Sequence, residues 1–296
     1  MRVAVTGTSG LLGGALVREL QTRGHEVLRL VRRRPEAYDE ALWFPEVDTD
    51  SLRGVDAVVH LVGEPLVGKW SPHQREAIRE SRVHGTRLLA TALAEMRDGP
   101  RVLLCASATG FYGDRGAATL TEESPAGVGF LPSVYEAAEN AAAPAVAAGL
   151  RVVQLRVGVL QSTEAGGLAI LLPMFRRGMG IRAGDGTQWV SWIDLSDAVQ
   201  AVIHTLGSSL AGPVNVVAPN PVTNREYADT LASVLSRPRL LALPPRLVRR
   251  FFGEGLADEV LLASTRVVPE RLLTSGFTFE HPTLRETLQN LLLRVT

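Results

Sequence analysis

Residues 1–13, MRVAVTGTSGLLG, decide how the rest of the chain folds. The apolar run at residues 1–5 predicts a short strand, and a loop with a glycine at every third position follows it directly. Apolar residues then recur at helical spacing from Leu12 to Leu20, which predicts a helix that begins inside the glycine loop. Gly24 ends this helix, and residues 25–31 form a second apolar strand. The stretch therefore resembles half of a βαβ unit.

The three glycines of the loop have separate physical roles. Gly7 permits a tight turn, Gly10 lets the backbone approach a pyrophosphate, and Gly13 lets the helix pack close to the sheet. Leu11 and Leu12 open the helix, whose free N–H groups and positive dipole end form an anion site. A glycine pattern alone is a weak signal, but its position between an N-terminal strand and a helix favours a dinucleotide site over a structural turn.

An arginine cluster follows the second strand and indicates which dinucleotide binds. NAD enzymes place an acid here to accept from the ribose 2′-hydroxyl, whereas an arginine accommodates a 2′-phosphate. This chain has Arg32, Arg33 and Arg34, and the nearest acid is Glu36. We therefore expect a carboxylate-free rim of guanidinium groups that binds the extra phosphate of NADP. The alternative is a solvated basic loop.

Length and composition limit the class of protein. A chain of 296 residues suits one large α/β domain or a nucleotide domain with a smaller partner, and its formal net charge is zero. We expect no nucleic-acid partner, because no global field would recruit one. We expect no membrane span and no signal peptide, hence a cytoplasmic protein. The single cysteine, Cys105, is predicted to be core, and the six histidines show no zinc spacing, so no metal is expected.

The remaining chain alternates apolar strands with helices, which predicts an α/β fold with a Rossmann-type, doubly wound parallel sheet. Strands are expected at residues 56–62, 100–105, 151–160, 188–194 and 214–217. Helices are expected at residues 72–96, 133–148, 168–175, 194–206, 224–236, 247–252, 256–262 and 284–293, with irregular segments at 35–51 and 114–132.

The predicted domain organisation follows from this order. Residues 1–236 are expected to form the NAD(P)-binding domain, with a cap insertion at about 161–192, and residues 237–296 a small, mainly helical substrate or cap region. Met174, Phe175, Trp189 and Trp192 are candidates to line a substrate pocket, with ordinary core as the alternative for the tryptophans.

Several stretches together resemble the extended short-chain dehydrogenase/reductase superfamily, namely residues 6–13, 61–63, 107–113 and 192–197. The match narrows at residues 63–65, 70–71, 81–82, 266–272 and 276–277 to an atypical NAD(P)-dependent epimerase/dehydratase-like subgroup. That subgroup is sometimes labelled cell-division-inhibitor-like and is predicted to bind NADP. The resemblance extends over essentially the whole chain.

The resemblance implies a set of cofactor contacts, which are Gly7, Gly10, Gly13, Arg32, Leu61, Val62 and Gly63. Arg82 is added because ordinary extended members have an asparagine there, and an arginine brings a fixed positive charge towards the cofactor or an acidic substrate. The alternative is a surface charge paired with Glu76 or Glu80. By resemblance, a homodimer through helices 72–96 and 133–148 is also expected.

The chemistry is less well defined by the sequence. Ordinary members of the superfamily use a serine with a Tyr-x-x-x-Lys pair, in which the lysine charge assists proton transfer by the phenol. Here the pair reads Tyr135 and Glu139, and the only lysine, Lys69, precedes another helix. Ser107 and Thr109 are candidates to hydrogen-bond a substrate, or they cap the strand end. Tyr135 is a candidate proton donor, or it packs in the core.

Two other residues, Tyr112 and Glu64, are weaker candidates for acid and base. The leading hypothesis is an NADP-dependent oxidoreductase or epimerase-like enzyme that acts on a small molecule. The alternative is an NADP-binding sensor or interaction protein that has lost the proton relay.

Overall fold

Fifteen short and long strands run through the part of the chain that the computed structural model describes, residues 1–237 and 240–293. They are β1 (Arg2–Thr6), β2 (Glu26–Val31), β3 (Glu40–Leu42), β4 (Ala57–His60), β5 (Val102–Ala108), β6 (Thr119–Leu120), β7 (Arg151–Val157), β8 (Val159–Gln161), β9 (Gly180–Ala183), β10 (Trp189–Val190), β11 (Trp192–Asp194), β12 (Gly212–Val216), β13 (Val222–Thr223), β14 (Leu240–Leu243) and β15 (Arg266–Val267).

Seven of these strands form the central sheet, in the order β12-β7-β5-β4-β1-β2-β3, and every neighbouring pair is parallel. The chain starts in the middle of the sheet at β1, builds outward to β3, and then returns to β4 and builds the other way. The switch point between β1 and β4 is where such sheets bind ligands. The predicted doubly wound α/β fold is confirmed.

The helices cover both faces of the sheet. They are α1 (Leu11–Thr22), α2 (Pro72–Glu95), α3 (Phe130–Asn140), α4 (Ala143–Ala147), α5 (Gly166–Arg176), α6 (Leu195–Gly207), α7 (Asn224–Val234), α8 (Pro245–Phe252), α9 (Glu254–Leu256), α10 (Glu270–Thr274) and α11 (Leu284–Leu293). A 3₁₀ turn spans Thr109–Tyr112 and a π-helical turn spans Ala257–Leu261.

Strand β1 shows why both faces must be covered. Its residues Val3, Ala4 and Val5 are fully buried, although successive side chains of a strand point to opposite faces. Val3 and Val5 pack in the core formed with α1 and α6, whereas Ala4 packs in the core on the α2 side. A continuous apolar run is therefore the signature of a strand that lies between two helical layers.

The C-terminal region contributes to the main core as well as to its own. Leu272, Phe277 and Phe279 share a cluster with the strands of the central sheet. Helices α5, α7 and α11 form a second cluster around Trp192, which is fully buried. The division near residue 236 stays a prediction, and residues 238–239 and 294–296 of the predicted C-terminal region lie outside the described residues.

The structure corrects several predicted boundaries. The expected strand 151–160 is two strands, because at Gly158 the chain passes so close to the Ser191 carbonyl that a Cβ would lie 2.8 Å from its oxygen. The expected helix 133–148 begins at Phe130 and is interrupted before α4, which has Pro144 in its first turn. The segment 35–51, predicted to be irregular, contains β3.

The start of α3 depends on a residue far along the chain. The carboxylate of Glu259 accepts hydrogen bonds from the backbone N–H groups of Phe130, at 3.0 Å, and Leu131, at 2.6 Å. No side chain near the helix start caps it. Glu259 therefore supplies the negative charge that the amino terminus of a helix favours. None of the described helices combines the length and apolarity needed to cross a membrane.

His60 should make the stability of the fold depend on pH. It is fully buried at the end of β4, its Nδ1 lies 2.9 Å from Thr6 Oγ1, and burial lowers its pKa from 6.5 to about 4. Between pH 6.5 and 4 this histidine binds a proton in the unfolded chain but stays neutral in the folded protein. The free energy of unfolding therefore falls by up to about 3 kcal/mol as the pH drops towards 4.

Urea denaturation of the wild type and of His60→Asn between pH 4 and 7.5 measures this effect. The substitution should remove much of the decrease below pH 6.5. His73→Asn, at an exposed site on α2, should keep the wild-type profile. A His60→Asn protein with the same pH dependence as the wild type would contradict the assignment.

A glycine-loop cleft and a buried ionic network

The glycine loop closes tightly against the end of β4. Gly7 has a φ of +69°, and a Cβ at this position would lie 2.8 Å from the carbonyl oxygen of Leu61. A Cβ on Gly13 would lie 2.2 Å from the carbonyl oxygen of Gly7. Both positions therefore require glycine. The close contact brings the start of α1 to the switch point of the sheet.

The amino terminus of α1 is open to an anion. Its N-cap, Gly10, has no side chain to cap the helix, and no acidic residue lies in the first turn. The free N–H groups and the positive end of the helix dipole therefore point towards the space above the sheet. Leu11 and Gly13 belong to this first turn, and Leu12 packs into the core below it.

A cavity of about 740 Å³ lies at this edge of the sheet. Its walls combine the glycine loop, the ends of β2 and β4, and the start of the segment after β4. The lining residues are 7–10, 29–33, 40, 43 and 61–65. It thus brings together seven of the cofactor residues predicted from the sequence, which are Gly7, Gly10, Arg32, Arg33, Leu61, Val62 and Gly63.

The predicted carboxylate-free rim is wrong, because Glu40 lies within it. Arg33 donates to both carboxylate oxygens of Glu40, at 3.0 and 2.8 Å, and the Glu40 side chain is 2% exposed. The backbone N–H of Glu36 and the guanidinium of Arg33 lower the pKa of the Glu40 carboxyl. Arg32 also lines the cavity, and it forms no ion pair with any described residue. Arg32 is therefore better placed than Arg33 to receive a further anion.

Arg82 is not itself a lining residue of this cavity, but its guanidinium lies against Gly63, which is. Its Nη1 donates to the backbone carbonyls of Glu64 and Ile78, at 3.0 and 3.2 Å. The guanidinium carbon is 5.6 Å from the centre of the Tyr135 ring. The alternative partners, Glu76 and Glu80, make no ion pair with it in the described chain. Arg82 therefore points inward, towards the cleft and α3.

The Tyr-x-x-x-Glu pair on α3 is split between two environments. The Tyr135 ring packs against Gly110, where a Cβ would lie 2.9 Å from it, and is 4% exposed. Glu139 instead accepts from Ser107 Oγ at 2.6 Å and from two nitrogens of Arg156 at 2.9 and 2.8 Å. The charge of the Glu139 carboxylate is thus neutralised by Arg156, and the carboxylate accepts a hydrogen bond from the Ser107 hydroxyl.

The ion pair between Glu139 and Arg156 extends into a buried network. Ser107 and Arg156 are register partners on β5 and β7, so Glu139 reaches both from the helix above. Arg156 also donates to the Tyr112 hydroxyl, at 3.0 Å, and that hydroxyl donates to Asn215 Oδ1 at 2.7 Å. Burial raises the pKa of the Tyr112 phenol. Tyr112 is therefore an internal hydrogen-bonding group and not an exposed acid.

Sequence reasoning missed Arg156, Asn215 and Glu122, although a signal for the first was present. Arg156 interrupts an apolar strand, and a charge at such a position needs a partner. Glu122 Oε1 accepts from the backbone N–H groups of Asn215 and Arg271, at 3.0 and 3.2 Å. These contacts join the strand edge to the C-terminal region.

The other candidates lie outside this cleft, in the core or, for Trp189, at a separate cavity of about 670 Å³. Trp192 and Phe175 are core residues of the cluster with α7, not lining of the cleft. Trp189 stacks with Arg266, whose guanidinium carbon is 4.3 Å from its ring. Thr109 is 8% exposed, at the start of the 3₁₀ turn. Cys105 is buried, and burial together with Glu139 raises the pKa of its thiol to about 12, which makes it a poor nucleophile.

Within residues 1–237 and 240–293, no three His, Cys, Asp or Glu side chains are grouped as metal ligands would be.

Known proteins are similar to this chain over nearly its whole length. The model of the NAD dependent epimerase/dehydratase family matches residues 3–217, and a domain of unknown function matches residues 243–291. The epimerase family protein ML0860 of Mycobacterium leprae is 40% identical over 97% of this chain and 94% of its own length.

Two solved structures are similar in fold and sequence. The crystal structure of human epimerase family protein SDR39U1 (isoform 2) with NADPH has a TM-score of 0.87 and 29% identity, covering 100% of both chains. A nucleoside-diphosphate sugar epimerase from Corynebacterium glutamicum has a TM-score of 0.81 and 38% identity, covering 99% of this chain and 58% of that one.

Replacing Glu139 with lysine, which would restore the Tyr-x-x-x-Lys motif, should destabilise the protein. The side chains of Arg156 and Glu139 are 5% and 12% exposed, so the substitution would leave a buried guanidinium beside a second cation. Removing one partner of a buried pair costs about 3–5 kcal/mol. Urea denaturation should show a loss of at least this size.

Glu136→Lys is the matched control, because Glu136 is exposed on the same helix. It should change the free energy of unfolding by no more than about 0.5 kcal/mol. If Glu139→Lys were as stable as Glu136→Lys, the ion pair would not have the importance assigned to it.

Proposed function

The chain belongs to the NAD dependent epimerase/dehydratase family, and on that premise we propose that it is an NADP-dependent oxidoreductase or epimerase-like enzyme acting on a small molecule. The observation that carries the proposal is the cleft itself. An uncapped helix terminus, a glycine loop closed against β4 and the unpaired Arg32 all line or border one cavity at the switch point.

The residues of this cleft fit a 2′-phosphorylated dinucleotide. The open N–H groups of α1 suit the pyrophosphate, and the backbone at residues 61–63 borders the same space. Arg32 would bind the 2′-phosphate through charge-assisted hydrogen bonds. The human relative crystallised with NADPH supports this assignment. When bound, NADPH would donate a hydride to the substrate, or NADP⁺ would accept one from it.

A second candidate function is a cofactor-binding sensor or interaction protein. The observation that favours it is the engagement of Glu139 with Ser107 and Arg156, since no lysine accompanies Tyr135 on α3. Turnover decides between the two functions. Bound NADPH is mixed with a panel of aldehydes, ketones and 2-oxo acids, and its absorbance is followed. An oxidoreductase consumes NADPH with at least one of them. An epimerase regenerates its cofactor, so it is detected by a change in the configuration of the substrate, whereas a sensor binds NADPH and shows neither change.

Arg32→Ala should weaken NADPH binding by about ten- to a hundredfold, because one arginine contact with a phosphate contributes about 1.5–3 kcal/mol. NADH binding should stay unchanged, since NADH lacks the 2′-phosphate. Arg33→Ala should have a smaller effect on the NADPH preference, because Glu40 already neutralises Arg33.

Calorimetric titration of the wild type, Arg32→Ala and Arg33→Ala with NADPH and NADH tests this ranking. Arg34→Ala, one residue beyond the cavity lining, is the control and should bind both coenzymes like the wild type. An Arg32→Ala protein that keeps the full preference for NADPH would remove Arg32 from the site. A wild-type protein that binds neither coenzyme would overturn the proposed function.

The homodimer and the cytoplasmic location expected from the sequence stay predictions.

A further inference from the structure

Arg82, whose guanidinium lies beside Gly63, has hydrogen-bond donors that bond to none of the described residues. Both of its hydrogen bonds, to the carbonyls of Glu64 and Ile78, come from Nη1. Its Nε and Nη2 have no hydrogen-bond partner among residues 1–237 and 240–293, and neither atom is sealed from solvent. One terminal nitrogen of the guanidinium is therefore fixed to the backbone, while Nε and Nη2 pack beside Gly63 and keep some exposure to solvent.

This arrangement differs from that of other arginines that pack into the protein. Arg29 and Arg156 each hold a carboxylate through two nitrogens. Arg151 donates from both terminal nitrogens to backbone carbonyls. A half-buried guanidinium with two donors that bond to none of the described residues is thus available to bind a ligand.

The position of Arg82 connects the cofactor cavity with α3. A Cβ on Gly63 would lie 2.9 Å from the guanidinium carbon, so only glycine at this position lets the arginine lie flat against the backbone. Gly63 and Glu64 line the cavity, and the centre of the Tyr135 ring is 5.6 Å from the guanidinium carbon. A ligand that reached Arg82 would therefore be close both to the cofactor site and to the candidate proton donor.

We propose that Arg82 binds an anionic group of the substrate, a carboxylate or a phosphate, through Nε and Nη2, which rests on the proposed function. The planar guanidinium matches the two oxygens of such a group and can bind both through charge-assisted hydrogen bonds. A neutral substrate would leave the positive charge uncompensated. The cofactor phosphates are the other source of oxygen anions, but the α1 terminus and Arg32 already serve them.

The test uses malonate as an anionic probe and malonamide as its uncharged counterpart. Full-length protein is first saturated with NADPH, and each probe is titrated while the fluorescence of bound NADPH is recorded. The wild type should bind malonate at least about tenfold more tightly than malonamide. Arg82→Gln, which keeps a polar side chain but removes the charge, should lose this preference when it is titrated at an NADPH concentration that saturates the variant.

Two further variants make the result specific. Arg79→Gln removes a charge from the exposed side of the same helix and should leave the malonate preference intact. Arg82→Lys keeps the charge without the planar fork and should retain part of the preference, which also tests the site if Arg82→Gln folds poorly.

The proposal is overturned if Arg82→Gln binds malonate like the wild type, or if the wild type does not prefer malonate over malonamide. It is also overturned if Arg82→Gln loses NADPH affinity instead, because the anion would then belong to the cofactor. Failure of the wild type to bind NADPH would be a different result, since it contradicts the proposed function and not the role of Arg82.

Discussion

The contact between the backbones of Gly7 and Leu61 is the constraint on which the rest of the site depends. At the point where β1 and β4 separate, the chain must turn away within van der Waals distance of the neighbouring strand. A side chain at Gly7 or Gly13 would push α1 away from the sheet. The open helix terminus and the cavity lie at this close approach, and His60 is buried beside it at the end of β4.

A second constraint comes from burying charge on the other side of the switch point. Arg156 lies inside β7 and requires an anion, and Glu139 on α3 supplies it while holding the hydroxyl of Ser107. Glu139 stands at the position where ordinary members of the superfamily have lysine, and its hydrogen bonds to Ser107 and Arg156 make it part of a fully paired network. Tyr135, one turn earlier, faces Arg82 on α2 instead. Positive charge therefore reaches the tyrosine from a different helix.

Local patterns in the sequence were enough to predict the sheet and the glycine loop, because they depend on periodicity and on residues close together in the chain. The pairing of Arg33 with Glu40 was not predictable, since it required β3 to form at the edge of the sheet. The break at Gly158 and the network of Arg156 with Asn215 depend on strands more than 30 residues away. Which charges are free and which are neutralised is thus decided by contacts that form only when the strands pair, whether the residues are close together in the chain, as Arg33 and Glu40 are, or far apart.

The capping of α3 by Glu259 has a consequence for how the protein is made. Domains fold as the ribosome releases them, with the N-terminal part first. The nucleotide loop and the first strands can assemble early, but the helix that carries Tyr135 and Glu139 lacks its capping carboxylate until a residue 128 positions after Leu131 has emerged. A nascent chain released before that point would have the nucleotide-binding half of the cleft, but its helix α3 would lack the capping carboxylate.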